Sequence, residues 1–245
     1  MKIEQASEST VSKVWSEAEP EVQRAATLEE AAQALVKTLQ RRFDESVVIA
    51  RAFVTVPFGQ LPDVNQQFVR GLAESAGAGS ALKDSTPVLS LVGTYGKEAD
   101  WRDRRKSKGH VGIPLISSSF VGGIPMISRL LKEMGVPLDW VDSHDSELIV
   151  NTIGNKTGLF FVENAATATD AQGRKIIAAQ DFVAGHGVST VFGIGAAYSS
   201  GQMVVIVVFC RDTFPRAAGE RFMALANPFT TQTAELVEPA KVFAA

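Results

Sequence analysis

Between Trp101 and His110 the chain carries five cations, Arg102, Arg104, Arg105, Lys106 and Lys108, with Ser107 and Gly109 among them. The acids nearby are Glu98, Asp100 and Asp103. Arginine offers paired N–H donors in the geometry of a carboxylate or phosphate. A tryptophan face stacks on a planar ligand or holds a cation. Together these residues describe an anion-binding or ligand-capping loop. The same composition also describes a solvated charged loop with Trp101 packing its base, since charge runs usually face water.

Three histidines extend the chemistry. His110, between Gly109 and an apolar run, can serve as a proton switch, a haem ligand or a general base. It can equally hydrogen-bond to backbone. His186 stands in Ala184-Gly185-His186-Gly187, a glycine turn ahead of the last apolar runs. His144, in Asp142-Ser143-His144-Asp145, reads as a surface residue. The run Ser117 to Gly123 opens a helix, where Ser119 and Phe120 can offer a hydroxyl, backbone N–H groups and a ring to a ligand. Ordinary N-capping by Ser119 explains the same residues.

The single cysteine, Cys210, excludes an intrachain disulfide and a thiolate zinc site. Arg211 beside it can lower a thiol pKa. Burial at the end of the run Met203 to Phe209 would instead make it a small apolar residue. No His or Cys pair has local ligand spacing such as i,i+4, so no metal is expected. Haem needs only one axial ligand, from His110, His186 or Cys210, and stays open as a cofactor. Gly193-Ile194-Gly195 has no helix after it and reads as a bulge or close packing, not as a dinucleotide fingerprint.

The whole chain is unlike its basic loop. It has 245 residues, 24 Lys plus Arg, 27 Asp plus Glu and a net charge of −3, which argues against a dedicated nucleic-acid binder. With 45% hydrophobic and 21% charged residues it has ordinary globular composition. The polar start, Met1 to Gln5, lacks the apolar core of a signal sequence. The apolar run Met203 to Phe209 is far too short to span a bilayer. A soluble cytoplasmic protein without a membrane partner is expected.

The elements that must position these groups follow from periodicity. Thr27-Leu28-Glu29-Glu30 is a capping box. Leu28, Ala31, Ala32, Leu35, Val36, Leu39 and Phe43 then form a helical stripe to about Arg42. Ser46 to Val56 reads as a largely buried strand, and Pro87 to Thr94 as a second. Asp63 is placed to cap a helix over 64–76. A single helix is predicted from Phe120 to about Met134, stopped by Gly135 and Pro137. Residues 142–155 offer only a short apolar segment around Ile149. Gly158 to Ala165 reads as a strand and Asp170 to Arg174 as a turn. Val188 to Tyr198 and Met203 to Phe209 form a hairpin across Ser199-Ser200-Gly201-Gln202. Helical stretches follow from Pro215. The predicted fold class is α+β, a central antiparallel sheet with flanking helices.

That order resembles a GAF-like sensory domain, in the wider GAF/PAS-like class. The resemblance is carried by the entry helix 27–43, the strand 46–56, the Asp170 to Arg174 connection, Gly187 to Gly193, Val204 to Phe209 and the exit helix. The segment Trp101 to Leu115 also looks like input regions of bacterial sensor kinases. The resemblance covers one domain over 27–238; the charged residues 1–26, with Pro20 inside, read as an arm or a helix that docks on a partner, and 239–245 as a tail. The resemblance implies a homodimer formed through entry and exit helices. It also implies a small-molecule pocket between the sheet and the segment 95–130. Trp101, Arg104, Ser107, His110, Ser119, Phe120 and His186 would line that pocket. With no kinase, cyclase or DNA-binding output segment, the expectation is signalling in trans to a partner protein, or an excised input module. Two alternatives stay beside it. One is a small-molecule enzyme with His110 or His186 as general base. The other is a haem-binding redox or gas sensor.

Overall fold

The computed structural model describes residues 1–143 and 157–244; His144 and the segment around Ile149 lie outside them. Six apolar runs become strands: β1 (Val47–Pro57), β2 (Pro87–Gly96), β3 (Gly112–Pro114), β4 (Gly158–Val162), β5 (Thr190–Ala197) and β6 (Met203–Cys210). They form one sheet in the order β3-β2-β1-β6-β5-β4. Every neighbouring pair is antiparallel. The two central strands are β1 and β6, and both of their faces are covered, which suits the nearly unbroken apolar run of β6. This is the α+β architecture expected from the sequence: a central antiparallel sheet with flanking helices.

One sheet face carries the entry and exit helices. Helix α1 (Glu8–Arg24) is capped by Ser7, whose hydroxyl accepts from the Thr10 N–H. Its stripe of Val11, Val14, Ala18 and Val22 is buried against the chain's own first core. The segment over 1–26 therefore docks within its own molecule. Glu21 and Glu17 tie it to Lys37 and Arg42 on α2 (Leu28–Arg42). Thr27 caps α2 as predicted, accepting from the Glu30 N–H at 3.2 Å. Glu30 reaches back one residue further than a standard box, to the Ala26 N–H at 2.8 Å. Leu28, Ala31, Leu35 and Leu39 are fully buried. The helix lies directly on β2: a Cβ added at Gly93 would stand 2.9 Å from the Ala32 carbonyl carbon.

Helix α3 (Asp63–Ser75) follows β1, with Pro62 rather than Asp63 at the cap position. The predicted helix over 120–134 is two helices, α4 (Ser118–Gly122) and α5 (Pro125–Glu133). Pro125 clashes with a helical conformation at the residue before it. Ile124 is accordingly extended, at φ −115° and ψ 92°. The cap of α4 is Ser117, not Ser119, and accepts from the Phe120 N–H at 3.1 Å. Helices α4 and α5, with α6 (Asp139–Ser143) and α7 (Gln180–His186), cover the second sheet face.

The Gly158–Gly195 pair of the β4–β5 ladder makes room for α5 to end on the sheet. A Cβ at Gly158 would lie 2.7 Å from the Met134 Cα, and one at Gly195 3.1 Å from its Sδ. The glycines of Gly193-Ile194-Gly195 thus belong to strand packing. After β6 the chain returns to the first face through α8 (Arg216–Glu220), α9 (Ala226–Gln232) and α10 (Pro239–Val242). Phe214, Phe222 and Phe229 are buried there.

Candidate functional site

The basic segment 99–106 folds as two short 3₁₀ turns, and its arginines face different ways. Arg104 turns to the first face. Its Nη2 meets Glu29 Oε2 at 2.7 Å, with both side chains more than nine-tenths buried. Its guanidinium also lies 4.9 Å from the Phe243 ring. Glu29 further accepts from Arg105 at 3.0 Å and from the Ala244 N–H at 3.0 Å. Arg102 donates to the Gly96 and Lys97 carbonyls and stands 5.3 Å from the Tyr95 ring. Arg41, 5.6 Å from the same ring, shares with it an open cleft of about 490 Å³ that also includes Gln40, Asp44 and Lys97. The cations therefore do not converge on one anion cradle.

Trp101 goes to the second face. Its ring lies 4.7 Å from His186 and 5.6 Å from Phe182. Phe182 in turn touches Phe209 edge-on at 5.6 Å. All four side chains are half-buried. Gly96 creates the seat for the indole, since a Cβ there would stand 2.8 Å from Trp101 Cε3. His186 is the last residue of α7. Gly187, at φ +63°, ends the helix in the left-handed conformation that glycine adopts without strain.

The residue that sequence reading passed over is Arg51. It lies in the middle of β1, opposite Thr94 on β2 and Val207 on β6. Directly paired residues share a sheet face, and diagonal neighbours lie about 7–8 Å apart. Arg51 is thus on the second face, diagonal to Phe209. Thr94 donates its hydroxyl to the Trp101 carbonyl at 3.1 Å, which brings the Trp101 backbone beside Arg51. Arg51 Nη1 makes one long contact, 3.4 Å, to the Gly109 carbonyl. The same carbonyl accepts from Ser107 Oγ at 2.7 Å. Arg51 Nε is fully shielded and has no partner, and no carboxylate pairs with the guanidinium among the described residues. Burial pushes its pKa down to about 10, so it remains a cation at neutral pH. A lone arginine inside an apolar strand was the available signal, because a buried charge demands a partner.

His110 follows Gly109 with φ +56°. Such backbone is uncommon outside glycine and is enriched at sites under functional constraint. The side chain keeps an exposed edge. The protein packed around it, and then the Arg51 guanidinium, hold its pKa below the ordinary imidazole value.

The structure thus gathers Trp101, His186 and Phe182, and sets His110 and Ser107 beside Arg51. Phe120 packs on the second core from α4, while Ser119 is exposed on the same helix. Arg104 is engaged with Glu29 on the other face. Cys210 is fully buried, and burial followed by Asp212 raises its pKa well above the ordinary thiol value. Among the described residues no group of three or more His, Cys, Asp or Glu could hold a metal ion. No helix among them is long and apolar enough to cross a membrane.

No family model matches the sequence, and no curated protein does. Solved structures give distant likenesses. The phycoerythrobilin-bound GAF domain of a cyanobacterial phytochrome is 8% identical at a TM-score of 0.46, over 92% of this chain and 95% of that one. The GAF domain of an Acinetobacter phosphoenolpyruvate-protein phosphotransferase is 13% identical at 0.44, over 92% and 93%. A bacteriophytochrome from the photosynthetic bacterium R. palustris is 8% identical at 0.48, over 96% of this chain and 40% of that one. Likenesses this distant carry no residue-level correspondence, and the site stands on its own geometry.

Proposed function

We propose that the chain is a sensory module that binds a small molecule on the second sheet face and signals in trans through a homodimer. One observation carries the reading. Trp101 and His186 pack together on a half-buried aromatic surface, and on the same sheet face His110 follows the Gly109 carbonyl that meets Arg51, a cation with no carboxylate partner among the described residues. Apolar surface with a few convergent polar groups is the usual make-up of a ligand site. Trp101 and Phe120 would pack the ligand body, and His110, His186 and the Ser119 hydroxyl would meet its polar groups. Ser107 and Arg104 would act by fixing the loop, Ser107 through the Gly109 carbonyl and Arg104 through Glu29.

Glu29 also suggests how occupancy would reach a partner. It joins the ligand-side loop to the entry helix and to the chain end at Ala244. A shift of the loop would move both. The test is equilibrium binding of whatever small molecule co-purifies, on the parent and on Trp101→Ala and His110→Ala. Weakened binding in both variants supports the reading, and unchanged affinity in both overturns it.

One observation favours an enzyme as the second reading. A neutral, solvent-reachable His110 beside a fixed cation suits a general base. A pH–rate profile abolished by His110→Ala would decide for it.

A further inference from the structure

We infer that the ligand of the second face is a carboxylic acid with an aromatic or apolar body, its carboxylate received by Arg51. This rests on the sensory reading above and names the ligand class for the same site.

The chain contains an internal contrast. Arg104 is buried and meets Glu29 at 2.7 Å. Arg51, half-buried on a central strand with its Nε shielded, makes among the described residues a single long contact to a carbonyl. A guanidinium carries five N–H donors, so most of its capacity is unused. An unpaired buried charge opposes folding unless something compensates it. Strand neighbours do not: Val207 is apolar, and the Thr94 hydroxyl is spent on Trp101. An anion arriving from outside would supply the missing charge and the missing acceptors. Arg51 is not sealed from it, because the exposed His110 and the Gly109 turn border its guanidinium.

Two further features narrow the class. The surface diagonal to Arg51 is aromatic: Phe209, then Phe182 and Trp101. That surface suits an apolar or planar body. The group beside Arg51, His110, is held toward the neutral form and adds no second charge at neutral pH. One positive charge neutralises a carboxylate, whereas a phosphate dianion would leave excess charge on an apolar face.

The experiment uses the full chain with matched probes: indole-3-acetate and octanoate, each against its primary amide, and octyl phosphate as the dianion. Thermal shift is followed on the parent, Arg51→Met, Arg51→Lys and Trp101→Ala. The acids should raise the parent's Tm saturably and bind about tenfold or more tightly than their amides. Arg51→Met should abolish that preference while raising the Tm of the unliganded protein. Arg51→Lys should keep part of the preference. Acid and amide binding alike, both lost in Trp101→Ala, would overturn the acid and leave the sensory site standing. A preference for octyl phosphate over octanoate, or a preference that survives Arg51→Met, would overturn the class. No acid binding at about 10 mM overturns the inference. If the purified protein also retains no small molecule, the sensory reading falls with it.

Discussion

Glu29 and Arg104 form a 2.7 Å ion pair between the entry helix and the basic loop, buried on both sides. Removing one partner of such a pair leaves a buried charge without compensation. Glu29→Gln should therefore lose about 3–5 kcal/mol in urea unfolding. Arg105→Ala, which removes the half-exposed partner of the same carboxylate, should lose less than about 1 kcal/mol. Glu29→Gln should also free residue Ala244 for early C-terminal proteolysis, since that carboxylate accepts its N–H. A variant as stable and protease-resistant as the parent would remove Glu29 from the proposed signal path.

His110 gives a pH signature of known sign. Its folded-state pKa lies below 6.5 because of burial and then Arg51. Between the folded value and 6.5 the unfolded chain binds more protons than the folded one. Stability therefore falls as pH drops through that window and levels off below it. His110→Asn keeps the left-handed backbone, which asparagine tolerates, and removes the titration. Its Tm should change less than the parent's on going from about pH 7.5 to about pH 5. Parallel pH profiles for the two proteins would contradict this.

Cys210 should be silent as a redox or nucleophilic group. The thiolate is the reactive form, and burial together with Asp212 disfavours it. Labelling by an aromatic disulfide reagent should occur only as fast as the protein unfolds. Rapid labelling in native buffer would restore the reactive-thiol reading.

Gly158→Ala should destabilise the protein by about 1–3 kcal/mol through overpacking. Adding Met134→Ala should not rescue it, because the Met134 Cα itself stands 2.7 Å from the new methyl position. Full rescue in the double variant would mean that only the flexible Met side chain sets this approach.

Local features were legible in the sequence because local chemistry decides them. Thr27 caps α2 where its capping box predicts, and Gly201, at φ +88°, turns the last hairpin. The break at Ile124 was written in Pro125, but the apolar stripe on both sides of it dominated the reading. The proposed site was legible only in part. Trp101, His110 and His186 are chemically conspicuous, so their types alone made them candidates. The role of Arg104 depends on Glu29, and that proposed for Arg51 on having no such acid among the described residues. Both are facts of tertiary pairing that strand periodicity does not encode. Arg51 was overlooked for the same reason it matters: apart from Thr55, its strand is otherwise apolar.

The most direct test is native mass spectrometry of the freshly purified full chain, beside an Arg51→Met/Trp101→Ala double variant. The account predicts a retained small-molecule mass on the parent dimer and none on the variant. Parent and variant both at their bare sequence masses, or the same added mass on both, would contradict it.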